Sequence, residues 1–315
     1  MIDYTGFAGR LAACPDRAAR WDLLREVQRE WGFVGAGNVW APPEPVDDDF
    51  EDLDDEFVGF DEADDDHGYA AVVPAAVDEW FAMPENSFQQ APRLYWTHPM
   101  DRPCRWPNAR EVFALRQRGV AQEAVPPYYG LFMSEYEACF AWGYREAEAA
   151  VDDDPAVYVL NSARTIGELA EDLADGGDDP DHQRLVARSV TEWALAFALT
   201  HIPFAARYLL SRLADEPEAV DPGLFDQAAV GQHCIKQFGS LTDEQRASVA
   251  AEYPELGLLP WTDFGGGHLR GGPDVILREW REGDLIDSDY ELCIAARTPE
   301  AMAAALSTLG LEAGD

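Results

Sequence analysis

Two short stretches with the pattern of β-strands lie close together between residues 139 and 160. In the first stretch small residues alternate with aromatic ones, in the order Cys139, Phe140, Ala141, Trp142, Gly143 and Tyr144. Such alternation places the aromatic side chains on one face of a strand. The second stretch, residues 156–160, follows after a short acidic connection. The sequence therefore predicts that the two strands form an antiparallel hairpin.

The connection between these strands ends in three consecutive carboxylates, Asp152, Asp153 and Asp154, followed by Pro155. Aspartate suits a turn, and proline suits the first residue of a strand, where its missing N–H removes no ladder hydrogen bond. The same three carboxylates would be held at the end of a rigid hairpin. They are therefore also candidates for contact with a basic partner.

Helical patterns surround the hairpin. Trp21, Leu24, Val27 and Trp31 predict an amphipathic helix that ends at Gly32. Further helices are predicted from Pro74, from the capping box of Thr165 with Glu168, and from residue 186 onward, with Pro203 expected to kink or restart the last of them. Residues 84–108 hold five prolines and are expected to be irregular. These elements indicate an α+β fold with a mixed, largely antiparallel sheet backed by helices.

The last hundred residues repeat the combination of helices and strands on a smaller scale. Thr242 with Gln245 caps a predicted helix, strands are expected at 275–279 and 290–295, and a final helix begins after Thr298 and ends at Gly310. Asp221 begins an Asp-Pro-Gly sequence that suits a boundary. We therefore expect a first domain over residues 1–215 and a smaller α+β unit over residues 216–315.

The charge of the chain limits its partners. Asp and Glu number 60 against 23 Lys and Arg, which gives a formal net charge of -37. Nucleic acids and anionic membranes would be repelled, so neither is expected as a partner. Glu44 to Asp66 contains 14 acidic residues and no basic one, which predicts a solvated acidic insertion at about 44–68. Solubility, salt adaptation or genome composition would explain the acidity equally well.

Features of other protein classes are missing from the sequence. Its five cysteines are widely spaced and include no C-x-x-C pair, so neither disulfides nor a zinc site is expected. The N-terminus lacks the basic and apolar regions of a signal peptide, and no apolar stretch reaches the length of a membrane span. These features favour a cytoplasmic protein.

Sequence motifs of enzymes are also missing, including H-E-x-x-H, G-x-S-x-G and the phosphate-binding P-loop. Residues 265–272 form a glycine-rich segment that could bind an anion with help from Arg270, or could be a flexible turn. His98 and Asp101 could form an acid-base pair, although neighbouring prolines favour a turn. The acidic segment from Asp54 does not fit the EF-hand template. We therefore expect a protein without enzymatic activity, cofactor or metal.

The order of elements resembles the SUKH superfamily, the Smi/Knr-type proteins, many of which are bacterial immunity proteins. The matching segments are residues 73–80, residues 134–136 before Trp142, and residues 154–159, within a resemblance that spans about residues 20–212. The chain departs from the family pattern at two points. Ser-Glu-Tyr replaces the usual Glu-Asn-Gln-like turn at 134–136, and Ala156 stands in place of a second proline.

This resemblance implies an α+β domain that binds another protein through an exposed groove, with a toxin domain, frequently a nuclease, as the partner of immunity members. An acidic inhibitor can cover the basic surface with which a nuclease holds phosphate. The expected partner-binding residues are Glu135, Tyr136, Trp142, Tyr144, Asp152, Asp153 and Asp154. For Trp142 and Tyr144 the alternative is ordinary core packing. Two other functions remain open: a regulatory or scaffold protein of the same fold, and an uncharacterised hydrolase.

Overall fold

The computed structural model describes residues 2–33, 71–82, 97–135, 140–161, 169–171, 173, 183–215, 225–260, 267–281 and 290–312. These residues fall into two compact units. The terminal unit contains the described residues of 1–38 and 191–315, and the central unit contains those of 39–83 and 96–190. Each unit has its own antiparallel sheet and its own helices, so the fold is α+β, as the sequence predicts.

The elements follow one another along the chain as follows. They are α1 (Phe7–Ala12), α2 (Arg17–Glu30), α3 (Ala75–Ala82), β1 (Thr97–Trp106), α4 (Ala109–Gln117), a 3₁₀ turn (Gln122–Ala124), β2 (Tyr129–Glu135), β3 (Phe140–Arg145), α5 (Glu146–Ala149), β4 (Val157–Asn161), β5 (Gln183–Ala187), α6 (Val190–Asp215), α7 (Gln227–Val230), β6 (Cys234–Phe238), α8 (Asp243–Glu252), β7 (His268–Gly272), β8 (Val275–Glu279), β9 (Leu292–Ala296) and α9 (Pro299–Leu309).

The central unit is built on a five-stranded sheet with the order β1-β2-β3-β4-β5, in which every neighbouring pair is antiparallel. The predicted hairpin is therefore confirmed, with Trp142 paired to Val159 and Gly143 to Tyr158. Its connection contains the short helix α5. The strand order places β3 in the middle of the sheet, where residues on both faces become buried.

The prediction of irregular structure at residues 84–108 is wrong for residues 97–106, which form β1. This strand lies at the edge of the sheet, and its register with β2 shifts between Pro99 and Cys104. An edge strand tolerates proline because one of its sides has no ladder hydrogen bonds. A bulge tolerates proline because it leaves one residue unpaired. A segment rich in proline can therefore still form an edge strand.

The terminal unit contains a four-stranded antiparallel sheet with the order β6-β9-β8-β7. Helices α8 and α9 cover one face, where Val249, Leu277, Ile294 and Leu306 belong to a buried cluster. The predicted capping box of Thr242 with Gln245 begins α8. Helix α9 begins after Thr298 and ends at Gly310, whose φ of 63° is the left-handed conformation common at helix ends.

Several other helical predictions are confirmed. Asp16 caps α2, and Gly32, with a φ of 81°, follows its end. Helix α3 covers the segment predicted from Pro74. The long helix predicted from residue 186 is α6, but it begins only at Val190, because residues 183–187 form β5. It continues through Pro203, so the restart expected there does not occur. The capping box of Thr165 with Glu168 lies outside the described residues, although residues 169–171 are helical.

The division into units differs from the expected boundary at residue 215. The N-terminal segment belongs with the C-terminal sheet because the backbone N–H of Tyr4 donates to the carbonyl of Gly272, at 3.2 Å, and that of Ile2 donates to Asp274 Oδ1, at 2.8 Å. Trp31 also packs edge-on against His233, with ring centroids 5.1 Å apart. Contacts between distant parts of the sequence thus define the unit.

Candidate functional site

The connection from β3 to β4 holds two sets of carboxylates with different environments. Glu146 accepts a hydrogen bond from Arg105 Nε at 2.8 Å, and its side chain is only 11% exposed. Glu148 accepts a hydrogen bond from the Tyr158 hydroxyl at 3.0 Å, and the Arg145 guanidinium lies 4.4 Å from the centre of the Tyr158 ring. These first two carboxylates are therefore held against the sheet by cations and hydroxyls.

The three following carboxylates form what we call the acidic turn, Asp152–Asp154. Its conformation is fixed by three hydrogen bonds. The backbone N–H of Asp152 donates to the Glu148 carbonyl at 2.9 Å, and that of Asp154 donates to Asp152 Oδ1 at 2.9 Å. The N–H of Ala76 in α3 donates to the Asp153 carbonyl, also at 2.9 Å. The turn is thus attached both to its own hairpin and to α3.

The carboxylates of Asp152 and Asp153 are exposed, whereas Pro155 directly after the turn is buried. The strand β4 begins two residues later, at Val157, so Pro155 precedes the strand and is not its first residue as expected. The change from exposed to buried occurs within two residues, from Asp153 to Pro155. The turn therefore exposes Asp152 and Asp153, whereas Asp154 is half-buried. The structure brings the three aspartates together.

Exposed aliphatic residues adjoin the acidic turn. Val151, the residue before it, is 87% exposed, while Val72 and Val73, in the segment that leads into α3, are 45% and 37% exposed. The exposed carboxylate of Asp78 lies on α3 itself. We define the acidic-aliphatic surface by six residues, Val72, Val73, Asp78, Val151, Asp152 and Asp153. It combines negative charge with apolar groups, as protein-binding surfaces commonly do.

Two of the three aromatic residues of β3 do not reach the surface. Trp142 and Tyr144 are both fully buried, so the expectation that they anchor a partner is corrected to core packing. The Tyr144 ring stacks with that of Phe132, with centroids 6.2 Å apart, and its hydroxyl donates to the Val72 carbonyl at 2.8 Å. Burial raises the pKa of Tyr144 well above its usual range. Tyr144 therefore acts from inside, by fixing the segment that carries Val72.

The remaining two predicted contacts are less defined. Glu135 is the last residue of β2, where its backbone pairs with Thr97. Tyr136 lies outside the described residues. The structure thus joins the three aspartates in one turn and places Trp142 and Tyr144 beneath the surface.

The glycine-rich segment is not a loop over residues 268–272, so neither an anion-binding loop nor a flexible turn describes it. These residues form β7, which pairs with β8. A Cβ at Gly271 would lie 2.4 Å from the Cβ of Tyr4, and one at Gly272 would lie 2.6 Å from the Tyr253 ring. Glycine is required because other residues pack directly on this strand.

Arg270, the proposed anion ligand, is buried within an ion-pair network. Its Nε donates to Glu279 Oε2 and its Nη1 to the Tyr253 carbonyl, both at 2.8 Å. Arg281 donates to the same Glu279 oxygen and, at 2.6 Å, to Glu255. These arginines hold the pKa of Glu255 and Glu279 below the usual glutamate range, against the effect of burial. We call these four residues the buried charge network after its buried pair, Arg270 and Glu279; the side chains of Arg281 and Glu255 are 38% and 49% exposed. The network satisfies Arg270 without an external anion.

The other proposed catalytic pair lies in β1, where His98 pairs with Ser134 and Asp101 falls within the register shift. A β-strand with a bulge replaces the expected turn. Among the residues that the structure describes, no group of three or more His, Cys, Asp or Glu is arranged to hold a metal ion. The segment compared with the EF-hand, from Asp54, lies outside the described residues.

Sequence reasoning missed the aliphatic part of the surface. Nothing in a Val-Val pair before a helix, or in a lone valine before an aspartate run, distinguishes an exposed position from a buried one. The only available signal was the position of both segments at predicted element boundaries, where side chains more often reach the solvent.

Comparison with protein-family models, curated proteins and solved structures finds no match to this chain. Across the described part of the chain, none of the helices combines the length and apolarity that crossing a bilayer requires, including the 26-residue α6. The acidic-aliphatic surface is therefore the strongest guide to function.

Proposed function

We propose that this protein is a non-enzymatic binding protein of the SUKH type, and an immunity protein that neutralises a basic toxin, of the nuclease class, by covering its active surface. The observation that carries the proposal is the acidic turn. Exposed carboxylates of one sign are held in a fixed conformation beside exposed aliphatic side chains.

The charge of the chain would bring such a partner to this surface quickly. A net charge of -37 produces a long-range field that attracts a basic protein and raises its association rate. Long-range attraction by itself would not fix an orientation. The acidic turn supports a specific orientation because hydrogen bonds restrain its backbone and the Asp152 carboxylate before binding, which lowers the entropy cost of ordering the turn.

Val72, Val73 and Val151 would supply the apolar part of the interface. Each exposes a large fraction of its side chain, and burial of apolar surface contributes about 25 cal/mol per Å² to association. Carboxylates at the border of the contact would pair with arginines or lysines of the partner. Substrate would then be excluded from the covered surface without any chemical step.

The test is affinity capture from the cells that encode the chain, followed by identification and purification of the captured protein. We expect a strongly basic protein that moderate salt releases. The variant Asp152→Asn/Asp153→Asn/Asp154→Asn should bind that protein about tenfold more weakly, because three exposed ion pairs together are worth about 1.5 kcal/mol.

A matched control removes the same number of charges elsewhere. Glu123, Glu244 and Glu252 are exposed and lie outside the acidic-aliphatic surface. Their triple replacement by Gln should leave the affinity within about twofold of wild type, since the long-range field changes equally in both variants. Equal losses in the two variants would mean that the acidity acts only through net charge. Capture of no basic protein at all would contradict the proposal.

A further inference from the structure

The outer face of helix α4 departs from the acidic character of the chain. Phe113 projects from it with 64% of its surface exposed. Arg110 and Arg116, three residues before and three after, are also exposed. Residues three apart lie side by side on a helix, so the three side chains form one patch, which we call the basic-aromatic face.

Helix α4 presents this face on a rigid base. Asn108 and Glu111 form a complete capping box, with hydrogen bonds of 3.0 Å and 2.6 Å between side chains and backbone. Leu115, on the opposite side, is fully buried in a cluster with Val120 and Leu169. The helix buries one apolar residue completely while leaving a larger one in solvent, so its orientation is fixed with Phe113 outside.

Two arginines at the C-terminal end of this helix form no ion pair with the residues that the structure describes. Carboxylates outnumber cations by 60 to 23, yet neither Arg116 nor Arg118 has an ion pair within the described part of the chain. The guanidinium of Arg118 donates to the Ala114 carbonyl, from Nη1 at 3.5 Å. The only carboxylate of α4, that of Glu111, is buried and occupied by the capping box. A local positive charge therefore remains at the surface.

We propose that the basic-aromatic face is a second protein-binding surface, whose partner is a protein with an apolar pocket bordered by carboxylates. Phenylalanine and arginine are enriched at the energetic centres of interfaces, where the ring fills a pocket and the guanidinium pairs with carboxylates. Charge complementarity assigns the acidic border. Nucleic acid and a second copy of this chain both carry a high net negative charge, so the net charge of -37 repels them, whereas the proposed partner needs carboxylates only at the border of its pocket.

This inference goes beyond the proposed function because the two surfaces have opposite charge. A basic toxin would meet the acidic-aliphatic surface, whereas the basic-aromatic face would repel its cations. The protein would then connect a basic partner with one whose apolar pocket is bordered by carboxylates.

The test is photo-crosslinking from position 113 of the full chain, with p-benzoylphenylalanine in place of Phe113, in the cells that encode it. The matched control carries the same probe at Val151, which is 87% exposed and lies on the other surface. We expect position 113 to crosslink a protein that position 151 does not. That protein is then purified, and its affinity for the unlabelled chain is measured by calorimetry.

The expected affinities separate this surface from the first. Phe113→Ala should weaken binding about thirtyfold, and Arg116→Glu about tenfold. Two controls should stay within about twofold: Arg29→Glu, which reverses an exposed arginine of α2, and the triple Asn variant of the acidic turn. Because Phe113 and Arg116 are exposed, their variants should retain the circular dichroism spectrum of wild type.

The inference would be overturned if position 113 crosslinked no protein above the level seen at position 151, or if Phe113→Ala did not change the affinity for the crosslinked protein. A crosslink from position 113 to a second copy of the chain, or to nucleic acid, would overturn it as well. Loss of this binding in the triple Asn variant would also overturn it, because the two surfaces would then be one. Failure of the basic partner to appear at position 151 would count against the proposed function alone.

Discussion

The buried charge network of the terminal unit and the acidic turn of the central unit use charge in opposite ways. In the network, Arg270 is 6% exposed and Glu279 is 9% exposed, and each carboxylate oxygen used is matched to a guanidinium. In the turn, Asp152 and Asp153 are exposed, the Asp152 carboxylate accepts a hydrogen bond from the backbone N–H of Asp154, and the Asp153 carbonyl accepts one from that of Ala76.

The two arrangements differ in the free energy needed to keep the charges and in their availability to a partner. Charges removed from water must be paired, since an unpaired one loses its hydration without compensation. Exposed charges keep their water and can remain unpaired at little cost, so they are available to a partner. Glu146 and Asp152 show both behaviours within one connection, the first ion-paired against the sheet and the second exposed.

The largest effect is expected from breaking the buried network. Arg270→Met should lower the free energy of unfolding by about 3 kcal/mol or more, because Glu279 then lies buried with one arginine fewer. Urea denaturation measures the change. Replacing Arg246, whose ion pair with Glu291 is 46% and 33% exposed, by Ala should cost only about 1 kcal/mol or less.

A double variant sharpens this test. Arg270→Met/Glu279→Leu removes both the cation and the carboxylate that it leaves behind, so it should be more stable than Arg270→Met alone. If Arg270→Met lowered the free energy of unfolding by less than about 1 kcal/mol, Arg270 would not be needed to compensate the buried charge of Glu279.

A smaller loss of stability is expected when the hydrogen bond between the Tyr144 hydroxyl, on the buried face of β3, and the carbonyl of Val72 is removed. Tyr144→Phe removes the hydroxyl that donates to the Val72 carbonyl and should cost about 1–2 kcal/mol. The same measurement on Tyr128→Phe, a half-exposed ring, should show a change within about 0.3 kcal/mol. Equal values for the two variants would mean that the Val72 contact adds nothing to stability.

The pH dependence of stability tests whether the imidazole of His233 stays neutral in the folded protein. Burial, with a contribution from Arg297, lowers the pKa of His233 from 6.5 to about 4. Below pH 6.5 the unfolded chain binds a proton that the folded chain does not, so stability is complete above that pH and falls as the pH drops toward 4. Between pH 7.5 and 5.5 the loss should be about 1 kcal/mol, after allowance for partial solvent screening.

Denaturation of wild type and His233→Phe at the two pH values checks this prediction. Glu255 and Glu279, whose pKa values lie below 4.5, stay ionised throughout this interval and do not contribute to the difference. The variant should lose clearly less stability than wild type between pH 7.5 and 5.5. An identical loss would assign the dependence to other groups.

The smallest effect on stability is expected at the acidic turn. The triple replacement of Asp152, Asp153 and Asp154 by Asn should change the free energy of unfolding by no more than about 0.5 kcal/mol. Asparagine can accept the same hydrogen bond from the Asp154 position, and removing like charges relieves repulsion. A loss above about 2 kcal/mol would show that these carboxylates stabilise the fold.

Much of the fold could be predicted from local patterns. Alternation identified β3, a short apolar run identified its antiparallel partner β4, and the predicted capping residues Thr242 and Thr298 stand where α8 and α9 begin. The failures were at β1 and β7, where proline and glycine suggested irregular structure. Both residues are compatible with strands under conditions that only the tertiary structure reveals, an edge position for one and close packing for the other.

The site was harder to predict than the fold. The sequence identified Asp152–Asp154 as a turn, because aspartate and proline preferences are local properties. It could not decide whether Trp142 and Tyr144 face solvent or core, since alternation gives the same pattern in both cases. The contribution of Val72 depends on a hydrogen bond between residues 72 positions apart in the chain, which no local pattern contains.

The central claim is that the acidic turn is displayed for a basic partner, and the association rate constant tests it most directly. Stopped-flow mixing of the captured basic protein with wild type and with the triple Asn variant should give about tenfold slower association for the variant at low ionic strength. The difference should vanish near 1 M salt, where charges are screened beyond about 3 Å. Equal rate constants for the two proteins at every salt concentration would contradict the claim.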